Sequence, residues 1–207
     1  MGANWTKKTW AGWSLAAALA LIIAYGGLAL ISCVECLKAH MTISHQLAAR
    51  PLATYLHFIF GPVALATGIF QMLPQVRARR GIHRWLGRVY AVSCVLSATG
   101  GIWLALYTTA GLLATAGFIS LGLLWLWTTL QAWRHARARD FAAHRKNMLL
   151  SYSLTFGAVT LRLQVALVMI FQLDFAFYYP IISFSAWVPN ILVMMWWLRR
   201  EQIRARG

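Results

Sequence analysis

Six apolar runs, none holding an Asp or a Glu, account for most of the chain: Trp10–Cys33, Leu52–Leu73, Trp85–Tyr107, Leu112–Trp133, Met148–Phe171 and Phe177–Leu198. A helix rises about 1.5 Å per residue, so a run of about 22 residues crosses the roughly 30 Å of hydrocarbon in a bilayer. Inside hydrocarbon every backbone N–H and C=O must find its partner within the protein, and helices achieve this span by span. The expectation is an all-α integral membrane bundle of six transmembrane helices, forming a single transmembrane domain over residues 1–207. The connections Thr108–Gly111 and Gln172–Ala176 are short, which predicts antiparallel neighbours and an up-down bundle. The first run exceeds the about 7–15 apolar residues of a cleaved signal, so it reads as a retained span.

Charge sets the threading. Nineteen Lys and Arg stand against four Asp and Glu, a net charge of +15. On a soluble domain that imbalance would point to nucleic acid. Here the charges cluster between apolar runs, which points to the lipid bilayer as partner and against nucleic acid. The clusters are Lys7 and Lys8; Arg77, Arg79, Arg80, Arg84 and Arg88; Arg134, Arg137, Arg139, Arg145 and Lys146; and Arg199, Arg200, Arg204 and Arg206. In a six-span threading all of these fall on one side, leaving Lys38 and Arg50 opposite and Arg162 within a span. Positive charge is retained in the cytoplasm, so both the N-terminus and the C-terminus are expected there, in a bacterial inner membrane. Trp5, Trp10, Trp85, Trp133, Trp196 and Trp197 fall near the same interface, as an aromatic belt requires.

Polar residues within spans face other helices or a cavity. At about 100° per residue, His57, Gly61, Gly68 and Gln71 form one stripe of the second span. His83, Gly87, Tyr90, Cys94, Ser97 and Gly101 share a face of the third, and His144, Met148, Thr155 and Arg162 a face of the fifth. Ser183 and Asn190 align in the sixth. Such faces serve either as packing surfaces, where glycines admit close approach and polar groups bond across helices, or as sites.

Two candidate clusters follow. The inner one holds His83 and His144, each followed by Arg at the start of a span, with Tyr90 and Tyr152. Two imidazoles at matched depth on different helices are what a b-type haem needs; a head-group anchor is the competing reading. The second cluster is His57, Gln71 and Arg162. At about 1.5 Å per residue Arg162 lies some 27 Å along its helix from His144, in the outer half of the membrane. A cation there wants an anion or a wet cavity. Glu35 and Asp174 are the protein candidates; a haem propionate, a quinone or a lipid head group are the ligand candidates. Arg162 is expected to face inward, near the His57 stripe. No spacing supports a metal site. Cys33-x-x-Cys36 at the outer end of the first span is a candidate redox pair.

These residues carry a resemblance. The run His57-x3-Gly61…Ala64-x3-Gly68-x2-Gln71, then His83-Arg84-Trp85-Leu86-Gly87-Arg88-Val89-Tyr90, then His144-Arg145…Met148…Ser151-Tyr152-x-Leu154-Thr155-Phe156-x-Ala158-Val159-Thr160-Leu161-Arg162, then Trp187-Val188-Pro189-Asn190, resembles domain of unknown function family 2306. These are predicted multi-pass bacterial membrane proteins. The resemblance runs from about His57 to Asn190 and leaves the first span outside. Asn147 stands where the family tends to have Trp, and Leu150 where it tends to have Arg. The resemblance implies the membrane fold and the paired motifs, and no activity.

The functional expectation is a small redox or quinone-linked membrane subunit built on the inner histidines, with b-type haem as candidate cofactor and catalytic residues unassigned. The alternative is a non-catalytic accessory subunit or small carrier whose polar faces serve packing or lipid and anion contact. The threading is tested first. Reporter fusions at Thr42, Ala110 and Phe175 should report outside, and fusions at Ala78, Ala138 and Gly207 inside. A cytoplasmic signal at Ala110 breaks the six-span arrangement.

Overall fold

The computed structural model describes residues 5–33 and 41–204, the side chains of 41–43 excepted. Among the described residues the regular structure is helical and contains no strand. In chain order the helices are α1 (Lys7–Ser32), α2 (Met41–Ala49), α3 (Pro51–Gln71), α4 (Pro74–Ala78), α5 (Arg80–Ala105), α6 (Gly111–Arg137), α7 (Phe141–Thr155), α8 (Gly157–Ile170), α9 (Phe175–Ser185) and α10 (Val188–Arg204). Six rods are long and apolar enough to cross a membrane: α1, α3, α5, α6, α7 with α8 over Phe141–Ile170, and α9 with α10 over Phe175–Arg204.

Four of the rods run well past their apolar cores. α5 begins at Arg80 rather than Trp85, and α10 continues to Arg204. α6 reaches Arg137 rather than Trp133, with Arg134, His135 and Arg137 in its last turn. Cations suit the negative end of a helix, so these turns extend the rod. α7 starts at Phe141, seven residues before Met148, because Asp140 caps it by accepting from Ala143 N at 3.0 Å. Asp174 caps α9 likewise, accepting from Ala176 N at 2.9 Å. A cap of this kind satisfies an amide that the helix itself cannot.

Each of these capped starts follows a tight helix stop. Arg139 (φ 60°) and Gln172 (φ 51°) adopt the left-handed conformation. Asp140 N then bonds His135 O at 3.0 Å, and Leu173 N bonds Val168 O at 2.9 Å. Both are Schellman stops, which close the last carbonyls of one helix before the next begins.

The chain divides into two compact units, residues 1–100 and 101–207. In the first, α1 lays Ala17, Ala20, Ala24 and Gly27 against α3. Small residues at this spacing let two backbones approach where hydrophobic drive between helices is absent. Trp13 Nε1 donates to Ile69 O at 3.3 Å, so the two helices run antiparallel. α3 meets α5 more closely still. A Cβ on Gly100 would stand 2.6 Å from Ala53 O and 2.9 Å from His57 N, so only glycine admits this crossing.

The second unit packs α6 against α7 and α9. Thr129 and Ser151 hydroxyls join at 2.7 Å, both buried. A Cβ on Gly117 would meet the Cβ of Ser183 at 2.7 Å and its backbone carbon at 2.9 Å. Val168, Ile182 and Ala186 form a small core with Leu161, Val165 and Phe175 around it.

The two rods of this unit that the sequence reads as continuous spans are each broken. In the fifth, Ser153 Oγ bonds Leu150 O at 2.7 Å and Thr155 Oγ1 bonds Ser151 O at 3.0 Å. Hydroxyls that bond back to their own helix bend it, and the break follows at Phe156, before Gly157. In the sixth, Trp187 N turns to Phe184 O at 3.2 Å, leaving Ser183 O, which takes Trp187's own indole N–H at 2.8 Å. Pro189 has no N–H for Ser185 O, four residues back. Gln164 of α8 fills that vacancy: its Nε2 donates to Ser185 O at 3.2 Å, and Ser185 Oγ donates to its Oε1 at 2.8 Å.

This exchange predicts a non-additive pair. Gln164→Leu should destabilise the protein by about 0.6–1.7 kcal/mol, the range of buried hydrogen bonds in membranes. In a Pro189→Ala background it should cost less, because the restored N–H can reach Ser185 O. Thermal unfolding in detergent of the four proteins measures the coupling; equal costs in both backgrounds would count against the link.

Candidate functional site

Polar groups inside a membrane can be sorted by whether other residues already use them. In the first unit His57 of α3 and Ser97 of α5 clasp reciprocally. His57 Nδ1 lies 3.0 Å from Ser97 O, and Ser97 Oγ donates to His57 O at 3.2 Å. A carbonyl only accepts, so Nδ1 carries the proton and Nε2 is the basic nitrogen of the neutral ring. Gly61 leaves room for this clasp, since its Cβ would stand 3.1 Å from Ser97 Oγ.

Gln71 is the other polar member of the His57 stripe, but it lies fourteen residues further along α3, about 21 Å at helical rise. There its Nε2 donates to His83 O at 2.9 Å, across the turn into α5. The stripe read from the sequence thus serves two levels: His57 with Ser97 at one, Gln71 with His83 at the other. Tyr90 is fully buried on α5, about one turn before Cys94 and two before Ser97, which are buried too.

In the second unit the matching turn is closed by His144. Its Nδ1 lies 2.9 Å from Ala132 O, so again Nδ1 is the donor and Nε2 the acceptor in the neutral ring. The support around it is dense. Asp140 caps the same first turn. Arg145 next in sequence forms a bidentate pair with Glu201 of α10, at 2.7 and 3.0 Å, and its Cζ sits 5.5 Å from the Trp197 ring centroid. Arg200 lies 4.1 Å over Trp196 beside it. Tyr152 is buried two turns further along α7.

Further along the rod, Thr160 and Asn190 bond at 2.9 Å, and Asn190 Nδ2 also reaches Ala186 O at 3.2 Å. Arg162 is half-buried. Its Nη1 donates to Ala158 O at 3.2 Å, and among the described residues it forms no ion pair. Asp174, one of its two candidate carboxylates, is engaged as the cap of α9; Glu35, the other, lies outside the described residues. Tyr179 of α9 is within electrostatic reach of Arg162. Cys33 takes part in a disulfide, and Cys36 lies outside the described residues. Among the described residues no three His, Cys, Asp or Glu gather as metal ligands.

Several participants escape a reading of polar stripes alone. Gln164 and Ser185 are invisible as a pair without the position of Pro189, which was the available signal. Tyr179 looks like any aromatic in an apolar run. Trp125 of α6 is buried with its indole N–H unmatched among the described residues, and nothing in its sequence context marks it.

No curated protein and no solved structure matches the chain. A family described as predicted membrane protein, DUF2306, matches residues 54–198. That stretch holds His57, Gln71, His83, Tyr90, His144, Tyr152 and Arg162, and omits α1. The match covers well over half of the chain and agrees with the helical, multi-span structure, and the protein belongs to this family of predicted membrane proteins.

Proposed function

We propose that the protein is a small redox or quinone-linked subunit of a bacterial inner membrane, with both termini cytoplasmic, in which His144 presents an imidazole ligand to a b-type haem. One observation carries the reading: the Nδ1–H of His144 is bound to Ala132 O. Ligating histidines characteristically hold their second ring nitrogen in this way, which fixes the tautomer and raises the basicity of Nε2. The donor fits haem iron, which a neutral imidazole of this kind would ligate. Bound haem would supply one-electron transfer. The chain's own part is to aim the ring, and the Asp140 cap and the Arg145–Glu201 pair hold the turn that does so. The orientation rests on the one-sided distribution of Lys and Arg.

The alternative is a non-catalytic accessory subunit or small carrier. Its support is that Thr129–Ser151, Thr160–Asn190 and Gln164–Ser185 satisfy one another, as packing faces do.

Spectra separate the two. Protein purified from haem-replete cells and reduced with dithionite should show sharp b-type bands. His144→Ala should abolish them while the folded fraction holds, and His45→Ala, exposed on α2, should leave them. A colourless wild-type protein would sink the haem reading and favour the accessory one.

A further inference from the structure

In the second unit the place where α6 stops, α7 starts and α10 ends is held together by side chains and is strongly basic. His144 Nδ1 donates to Ala132 O at 2.9 Å, which ties α7 to α6, and Arg145 grips Glu201 at 2.7 and 3.0 Å, which ties α7 to α10. Residues 134–146 and 199–204 carry eight Lys and Arg against two acids, Asp140 and Glu201. Both acids are engaged. Asp140 caps α7 at Ala143 N and lies 3.6 Å from His135 Nδ1, and Glu201 gives both oxygens to Arg145. What remains is a compact excess of cations on exposed side chains, and such a field attracts anions.

The kind of anion is set by α10. Leu192 and Val193, then Trp196, then Arg200, then Arg204 follow one another at steps of three or four residues, so they share a face, and all five are exposed. Along that face the order is apolar, aromatic, cationic. The Arg200 Cζ lies 4.1 Å from the Trp196 ring centroid, which holds the guanidinium at the level of the indole. Indoles settle among the head groups of a bilayer, and α10 is the end of a membrane-crossing rod. The cation therefore stands at the depth of lipid phosphates, with Leu192 and Val193 about 5–6 Å deeper, beside acyl chains. A guanidinium laid over a ring still has its N–H edge for a phosphate, and Arg204 adds a second cation one turn on. A nucleic acid or an acidic peptide would meet the arginines and leave the apolar half of the face unused. A zwitterionic lipid would fit the apolar half but bring its own cation to a basic surface. A phospholipid of net negative charge fits both halves.

We propose that this face of α10 is a docking site for an anionic phospholipid, its phosphate against Arg200 and Arg204 and its acyl chains along Trp196, Leu192 and Val193. The site goes beyond the redox reading and needs no haem, so each can fail without the other.

The test is native mass spectrometry of the full-length protein in detergent, titrated with dioleoyl phosphatidylglycerol or dioleoyl phosphatidylcholine. Wild type should bind the glycerol lipid at least tenfold more tightly. Arg204→Gln should weaken that binding about fivefold, the worth of one basic residue at an anionic surface, and Arg200→Gln with Arg204→Gln about 25-fold. Arg200→Lys should cost less than Arg200→Gln, since it keeps the charge and loses only the planar fork. Lys7→Gln with Lys8→Gln removes the same charge from α1 and should leave the affinity within about twofold. Circular dichroism checks that each variant is folded; should Arg200→Gln fail to fold, Arg204→Gln, which lacks a ring contact among the described residues, carries the test. Equal affinity for the two lipids, a folded double variant that binds as wild type does, or an equal loss from the α1 pair would overturn the site. Displacement of the lipid by millimolar inorganic phosphate would do so too, by showing an anion site with no part for the acyl chains. Displacement by a short RNA would reassign the arginines to nucleic acid.

Discussion

A carbonyl freed within hydrocarbon has no water to turn to, and the second unit is arranged around that constraint. Pro189 frees the carbonyl of Ser185, and the break at Trp187 frees that of Ser183. Both are answered, one by Gln164 across the hairpin and one by Trp187's own indole. Discontinuous helices survive in membranes only where neighbours make good the lost backbone bonds. The Gln164–Ser185 clasp thus offsets part of the cost of having Pro189 in the span. The break at Phe156 lies opposite: a Cβ on Gly157 would stand 3.2 Å from that of Trp187, so the two interrupted rods fit at their interruptions.

The same constraint governs the histidines. Two helical turns, α3 into α5 and α6 into α7, are each closed by a hydrogen bond between residues twelve apart. In the first, Gln71 reaches the backbone of His83. In the second, the ring of His144 reaches the backbone of Ala132. The bonding is inverted: the first turn uses the histidine's carbonyl and leaves its ring out of the closure, while the second uses the ring. Similar sequence motifs, His-Arg at the start of a span, therefore present their imidazoles differently. The orientation of the His144 ring is fixed from outside its own helix, by Ala132 O of α6.

How much of this was legible in the sequence follows from how far each feature is local. The six spans were, because hydropathy over about 22 residues is a local sum. Their ends were not, because Arg134, His135 and Arg137 read as polar loop while they extend α6 by favouring its C-terminus. The break at Phe156 was hidden because its causes, Ser153 and Thr155 bonding back onto their own helix, look like neutral small polar residues in a list. The stripe from His57 to Gln71 was correctly placed on one side of α3, but angular position carries no depth, and 21 Å of helix separates its ends. Tyr179 needed the fold of the hairpin before it could be set beside Arg162.

The scarcity of acid bears on Arg162, which forms no ion pair among the described residues. The chain has four carboxylates against nineteen basic residues. Asp140 and Asp174 cap α7 and α9, and Glu201 is held by Arg145 in two hydrogen bonds. Each of these three stabilises a helix end or a junction near one. Asp174 is engaged at Ala176 N in a charge-assisted cap and forms no ion pair with Arg162. The capped arrangement keeps α9 tightly started after the Schellman stop at Gln172. Among the described residues it leaves the Arg162 guanidinium with one hydrogen bond, to Ala158 O, and no ion pair.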